Sequence, residues 1–186
     1  METVSFTRMD QGTAEEYVFL DRVGEEHKQA HLVDSLLGLL KSMQGPTFGY
    51  QVDRYEHSLQ TATRALRDEA DEETVVAALL HDIGDVYAPD NHSAFAATVL
   101  QPYVSEETHW VVKHHGLFQG YYFYHHLGRD RDVREQFRDH PHFQACTVFC
   151  ERWDQCAFDP DYDTLPLAAF EPMVRRIFAR EPHFAD

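Results

Sequence analysis

A single apolar stretch, residues 74–85, constrains the fold of this chain more than any other part of it. The sequence TVVAALLHDIGD predicts a buried helix that presents His81 and Asp82 next to each other at its C-terminal end, where Gly84 stops the helix. Two polar side chains in so apolar a segment are costly to bury unless a partner satisfies them. A divalent metal is such a partner, because the adjacent His and Asp can share one ion, or Asp82 can bridge two.

The further ligands that a metal needs are present elsewhere in the chain. His57 precedes the apolar stretch, His92 and the pair His114-His115 follow it, and Asp154 comes late in the sequence. The chain contains 13 His, so any one of them alone is weak evidence for a ligand. The adjacent His-Asp pair inside an apolar helix gives the others their weight, and together they predict a metal centre.

Charge and hydropathy limit the classes of partner. The chain has 16 basic and 32 acidic residues, a net charge of −16, and a field of that sign repels nucleic acid. The start of the sequence lacks a basic and apolar leader, and no apolar run approaches the ~20 residues that a membrane span requires. We therefore expect a cytoplasmic protein with a small-molecule substrate and no nucleic-acid or membrane partner. The oligomeric state stays open.

Helical spacing of apolar residues recurs along the chain, and no alternating strand pattern appears. The predicted class is all-α, with a single domain over residues 1–186 and a metal core at about 50–160 on which the terminal helices pack. Residues 128–142 are charged and are predicted to be exposed, apart from Val133 and Phe137. Helices are predicted from a capping box at Thr13 and Glu16 to near residue 43, and over residues 52–70, 105–115, 143–157 and 167–179.

The spacing of His57, His81-Asp82 and Asp154 resembles the HD-domain superfamily, whose members carry the pattern H…HD…D on a compact helical bundle. The resemblance covers roughly residues 45–160. His92 and His115, which lie between the HD pair and the last Asp, are similar to the two additional ligands of members that hold two metals. By that resemblance one metal is held by His57, His81, Asp82 and Asp154, and the other by Asp82, His92 and His115, with His114 as the alternative to His115.

Members with six ligands catalyse one of two reactions. One is phosphohydrolysis by a two-metal centre, and the other is O2 activation at a mixed-valent Fe(II)/Fe(III) pair, as in myo-inositol oxygenase and the organophosphonate-cleaving oxygenases. Residues 56–60, residues 79–84 and the position of His92 resemble the phosphonate-cleaving enzymes, which implies two Fe ions with O2 as co-substrate.

The alternative is a two-metal phosphohydrolase acting on a nucleotide or a small phosphate ester. Hydrolases of this kind need Lys or Arg to offset phosphate charge, and basic residues are sparse around the motifs here. A degenerate domain that only binds a metabolite is disfavoured, because all six ligand positions are filled.

Two positions depart from the phosphonate-cleaving pattern. Gln119 stands where one such enzyme has a Lys, and Asp85 follows the HD motif in place of a basic residue or His. Both changes remove positive charge, whereas an acidic residue and aromatic faces suit a quaternary ammonium. The resemblance therefore implies cleavage of the C–P bond of (1-hydroxy-2-(trimethylammonio)ethyl)phosphonate, by oxidation of its hydroxyl-bearing carbon, to glycine betaine and phosphate.

The remaining candidates are residues that would bind this substrate. No dedicated protein acid or base is assigned, and Asp85 is expected to hydrogen-bond the substrate or to orient a ligand His. The aromatic cage candidates are Tyr50, Phe118, Tyr121, Tyr122 and Tyr124, and the phosphonate candidates are Arg54, Gln119, His125 and Arg152.

Overall fold

The computed structural model describes residues 3–183, and every regular element in that range is helical, which confirms the predicted all-α class. Short 3-10 helices cover Met9–Gln11, Tyr124–Leu127 and Arg131–Phe137, and a π-helical turn covers Cys150–Asp154. The α-helices are α1 (Ala14–Lys41), α2 (Arg54–Arg67), α3 (Glu72–Leu80), α4 (His92–Leu100), α5 (Glu106–Phe123), α6 (Phe143–Phe149) and α7 (Leu167–Phe178).

The chain divides into two compact units between Leu37 and Gly38. In the first unit, the predicted capping box opens α1: the Thr13 N–H donates to Glu16 Oε2 at 3.0 Å, and the Glu16 N–H donates to Thr13 Oγ1 at 3.3 Å. The single-domain organisation remains a prediction. Among residues 3–183 no helix combines the length and the apolar character that crossing a bilayer demands.

The second unit is built around α3, whose six residues from Val75 to Leu80 are buried. Helix α2 packs on α3, α5 packs on α4 and α6, and α7 packs on α3. Asp71 caps α3 by accepting a hydrogen bond from the Thr74 N–H at 3.0 Å. The apolar stretch is therefore the central helix of this unit, and its C-terminal end points to the middle of the bundle.

The prediction that Gly84 stops α3 is wrong. The helix ends at Leu80, and tight turns that contain His81 and Asp82 follow, with the Ile83 N–H donating to the Leu80 carbonyl at 3.1 Å. Gly84 serves close packing instead, because a Cβ there would lie 2.8 Å from the Cβ of Phe95. The lack of a side chain, rather than a left-handed backbone, explains glycine at this position.

Two further predictions need correction. The predicted helix over residues 143–157 is α-helical only to Phe149, because the next turn widens into the π-helical turn. In the segment predicted to be exposed, Arg134 is only 9% exposed: its guanidinium lies 3.6 Å from the ring centroid of Tyr121, and that of Arg131 lies 4.0 Å from the same ring. An aromatic face can bury a guanidinium by cation–π attraction, which a run of charges in the sequence does not reveal.

Candidate metal centre

Four imidazoles and two carboxylates converge in the middle of the second unit. Five helical segments supply them, and each predicted ligand lies where its segment faces the end of α3. All but His92 are buried. The six residues are His57 of α2, His81 and Asp82 after α3, His92 at the start of α4, His115 of α5 and Asp154 at the end of the π-helical turn.

Backbone carbonyls fix the orientation of all four imidazoles. The Nδ1–H of His57 donates to the Ala157 carbonyl at 3.0 Å, and that of His81 donates to the Ala78 carbonyl at 2.8 Å. The Nδ1 atoms of His92 and His115 lie 3.1 Å and 2.6 Å from the carbonyls of Pro89 and Val112. An imidazole that donates from Nδ1 presents the lone pair of Nε2, which is how metal-binding His are held. The four Nε2 atoms therefore all lie on the side of their rings that faces Asp82.

Asp82 lies between two histidine pairs. Its Oδ2 is 3.4 Å from His57 Nε2 and 3.5 Å from His81 Nε2, whereas its Oδ1 is 3.1 Å from His115 Nε2 and 3.4 Å from His92 Nε2. Each carboxylate oxygen thus faces a different pair. This arrangement suits a carboxylate shared by two cations.

Asp154 lies beside the pair formed by His57 and His81. Its Oδ1 lies 3.3 Å from His57 Nε2 and 3.6 Å from His81 Nε2, and these two nitrogens are 3.2 Å apart. Its Oδ2 is buried and has no hydrogen-bond partner among residues 3–183. A buried carboxylate oxygen without a partner is costly, and a cation at this point would satisfy it.

The electrostatics of the cluster attract positive charge. Burial by itself raises the pKa of Asp154, but the neighbouring His81 and His57 outweigh it and hold that pKa well below the usual range. Burial lowers the pKa of His57, yet hydrogen bonds with Asp154 and Asp82 raise it to about 9. The carboxylates thus stay ionised and stabilise a cation, whether a proton or a metal.

The donor set fits a divalent metal. Among the described residues, two groups bring one ligand atom each close together: His57 with His81 and Asp154, and His81 with Asp82 and His115. Imidazole and carboxylate ligands accept Fe, Mn, Co and Zn. Convergent Nε2 lone pairs and an orphaned carboxylate oxygen are the observations that support this fit.

Gly116 of α5 leaves room for His92, the predicted ligand on α4. A Cβ at Gly116 would lie 2.8 Å from Ser93 Oγ and 3.5 Å from His92 Nε2, so the bare backbone lets α4 approach α5. His114, the alternative to His115, lies outside the cluster: its ring stacks on Trp110 with the centroids 4.2 Å apart. Of the two, His115 is the residue that faces Asp82.

A cavity of about 300 Å³ opens onto the cluster. Five of the six predicted ligands line it, all except His81. The rest of its wall contains both aromatic and polar side chains. Its aromatic residues are Tyr50, Tyr122, Phe123 and Phe158, and its polar ones are Arg54, Gln119 and Gln155.

Arg54 is held at the edge of the cluster by its neighbours. Its Nε–H donates to Asp85 Oδ2 at 2.8 Å, its Nη1 lies 3.8 Å from Asp82 Oδ2, and its guanidinium lies 4.8 Å from the ring centroid of Tyr50. Asp85 also has its Oδ1 3.7 Å from His92 Nδ1. Asp85 thus contacts both Arg54 and the predicted ligand His92.

The structure brings only some of the predicted substrate residues to the cavity: Tyr50, Arg54, Gln119 and Tyr122 line it. Phe118 is fully buried against Trp110 and Phe143. Asp85 does not line the cavity but pairs with Arg54, and the other four lie elsewhere: Tyr121 under two arginines, Tyr124 against Phe123, His125 on the exposed 3-10 helix after α5, and Arg152 in an exposed ion pair with Asp68.

Sequence reasoning missed Phe158, Phe123 and Gln155. Phe158 stacks on His57 with the ring centroids 4.5 Å apart and on Tyr50 at 4.9 Å, so it joins the cluster to the aromatic wall. A signal was present, because Phe158 follows Asp154 by one helical turn and Phe123 follows Gln119 by one turn.

Comparison with protein families identifies one match to this region. The family model of the HD domain matches residues 54–143, which begin with α2, include five of the six predicted ligands and stop before Asp154. The match is consistent with the HD-domain family, whose members are metal-dependent enzymes. No curated protein matches the chain.

Proposed function

We propose that the protein is a metal-dependent HD enzyme, and specifically a mixed-valent diiron oxygenase, because residues 54–143 match the HD domain and carry most of a His/Asp cluster that fits metals. One ion would be held by His57, His81, Asp82 and Asp154, and the other by Asp82, His92 and His115. The observation that carries the proposal is the position of Asp82, with one oxygen facing each histidine pair. When bound, an iron pair supplies the redox chemistry by which O2 oxidises a substrate carbon.

We propose (1-hydroxy-2-(trimethylammonio)ethyl)phosphonate as the substrate, with glycine betaine and phosphate as the products. The two products together contain both oxygen atoms of one O2, so the cleavage balances without an added reductant. The substrate carries an anion at one end and a quaternary ammonium at the other. The cavity is lined by both polar and aromatic side chains, which match the two ends of this substrate.

Polar side chains of the cavity would bind the phosphonate. Arg54 is oriented by Asp85, which leaves its Nη atoms available beside the cluster. Gln119 and Tyr122 add neutral hydrogen-bond donors. Burial raises the pKa of Tyr122 to about 12, so its hydroxyl stays protonated at neutral pH and can donate to an anionic oxygen.

Aromatic rings of the cavity would bind the trimethylammonium group. Tyr122, Phe123 and Phe158 line the cavity with ring surfaces, and such surfaces attract desolvated cations by about 1–2 kcal/mol. The same rings keep water away from the reacting carbon. The net charge of −16 on the whole chain also favours binding of the cationic end of the substrate.

A phosphohydrolase is the competing assignment. Hydrolysis of a phosphate ester needs cations that offset charge in the transition state. Among the described residues that line the cavity, Arg54 is the one Arg or Lys, and its Nε–H is paired with Asp85. The shortage of Arg and Lys side chains in the cavity favours the oxygenase over the phosphohydrolase.

The test is anaerobic reconstitution with Fe(II), partial oxidation and low-temperature EPR spectroscopy, with and without the proposed substrate. The proposal predicts the signal of a spin-coupled Fe(II)/Fe(III) pair that shifts when the substrate is added, and release of glycine betaine and phosphate under O2. The matched control compound lacks only the hydroxyl group and should shift the signal differently.

The other outcomes are distinct. A coupled signal that ignores the compound would keep the oxygenase and reject the substrate. The absence of a coupled signal, with phosphatase activity under Mn or Mg, would overturn the proposal in favour of the hydrolase.

A further inference from the structure

The turn that carries Asp154 is not α-helical. At Cys150–Asp154 the helix that continues α6 widens, and the Gln155 N–H donates to the Cys150 carbonyl at 3.0 Å, five residues back. Such a π-turn contains one residue more than an α-turn, and it therefore changes which residue faces a given neighbour. Here the residue that faces His57 and His81 is Asp154.

One side chain outside the cluster holds this turn. Trp153 Nε1–H donates to Asp68 Oδ2 at 2.7 Å, and Arg152 Nη2 lies 2.9 Å from the same oxygen. Trp153 is buried, so its indole N–H needs an acceptor within the protein. Asp68 thus bonds to both residues that directly precede Asp154.

Asp68 also belongs to the helix that carries His57. It is the C-cap residue of α2, and its backbone N–H donates to the Arg64 carbonyl at 3.0 Å. The contact from Asp68 to Trp153 therefore fixes the π-turn relative to α2. That spacing sets how far Asp154 lies from His57.

We propose that Asp68 is a positioning residue of the metal centre: by binding Trp153 and Arg152 it holds the π-turn in the register that presents Asp154 to His57 and His81. The metal part of this inference rests on the proposed function, whereas the register part does not. Asp68 would act on one ion only, since Asp154 faces one histidine pair and the other pair is completed by Asp82.

The register is tested by amide hydrogen exchange of the metal-free full-length chain. In Asp68→Ala the Gln155 amide should exchange roughly tenfold faster or more, because its hydrogen bond closes the π-turn, while the amides of α3 keep their rates. Asp68→Asn retains an acceptor for Trp153 and should show a smaller change. The control is Asp163→Ala, which removes a carboxylate whose side chain is 92% exposed in its ion pair with Arg67.

Equal acceleration at Gln155 and in α3 would mean that Asp68 only stabilises the fold, and an unchanged Gln155 rate would mean that it does not hold the turn. Either result overturns the proposal. Trp153→Phe, which removes the indole donor together with part of the buried ring system, should give less than additive effects when combined with Asp68→Ala.

The effect on the metal is tested by Co(II) titration followed by visible absorption. In Asp68→Ala one of two Co(II) ions should bind about 10- to 100-fold more weakly, with the other unchanged. In a chain that already carries Asp154→Ala, adding Asp68→Ala should not weaken Co(II) binding further. Equal weakening of both ions would contradict the proposal. If the wild-type chain binds no Co(II), the proposed function fails, and hydrogen exchange still decides the register.

Discussion

The two histidine pairs of the cluster differ in exposure. The side chains of His57 and His81 are at most 1% exposed and are closed in by α2, the end of α3 and the π-turn, and we call this pair with Asp154 the closed half. His92 is 25% exposed and stands at the first residue of α4, whereas His115 is only 3% exposed; we call these two the open half because His92 is its exposed member, although His57 and Asp154 also line the cavity. An open coordination position is what distinguishes a catalytic metal from an enclosed one. Under the proposed function, we therefore expect the substrate to meet the metal of the open half, and the closed half to hold its metal more rigidly.

Asp82→Ala should have the largest effect, because it removes the one carboxylate that faces both halves. We expect a purified, Fe-reconstituted variant to lose nearly all bound metal, measured by elemental analysis against wild type. Asp163→Ala, an exposed carboxylate change, should retain it. Full metal content in Asp82→Ala would show that Asp82 does not join the two halves.

His92→Ala should separate the halves. Its imidazole contacts only the open half, so we expect one ion to be lost and the other kept, with proportional loss of activity. His114→Ala is the matched control, since His114 lies next to a predicted ligand but stacks on Trp110. Loss of both ions in His92→Ala would make the centre a single cooperative site without distinct halves.

Metal binding to the closed half should depend on pH. Without metal, burial lowers the pKa of His57 but its hydrogen bonds with Asp154 and Asp82 raise it to about 9, so a metal at Nε2 must displace a proton at neutral pH. Apparent affinity should therefore rise by about tenfold per pH unit below that value for each proton displaced, and level off above it. Calorimetry at pH near 7 in buffers of different ionisation enthalpy should detect the proton release, which His57→Ala removes. Binding without proton release would contradict the electrostatic account of the closed half.

The smallest effect is expected at the aromatic wall. Phe158→Leu keeps apolar bulk and removes a ring surface, so the KM for the trimethylammonio substrate should rise by about 5- to 30-fold, equivalent to ~1–2 kcal/mol. For a neutral isostere with carbon in place of nitrogen, the KM should be the same in Phe158→Leu as in the wild type. Phe158 also stacks on His57, so metal content is measured in parallel. An equal effect on both compounds would assign Phe158 to packing alone.

The sequence predicted the bundle and the ligand candidates for a common physical reason. An adjacent His81-Asp82 in an apolar helix is costly to bury alone, and caps at Thr13, Asp71 and Ser105 mark helix starts by local hydrogen bonds that the structure contains. The class was confirmed, and the structure brings the six proposed ligands together, although their role stays a prediction.

What the sequence could not predict depends on contacts between distant segments. The π-turn before Asp154 is held by Asp68, which lies 85 residues before Trp153. Arg134 is buried because Tyr121 covers it, and Gly84 is needed because Phe95 packs on it. Local patterns carry no information about such partners, so a charged segment was expected to be exposed and a glycine to end a helix.

The most direct test is anomalous diffraction at the iron edge from crystals of the Fe-reconstituted chain. The account predicts two peaks flanking Asp82, one at ligand distance from His57, His81 and Asp154, and the other at ligand distance from His92 and His115. A single peak, or peaks away from Asp82, would contradict a two-metal centre bridged by that carboxylate.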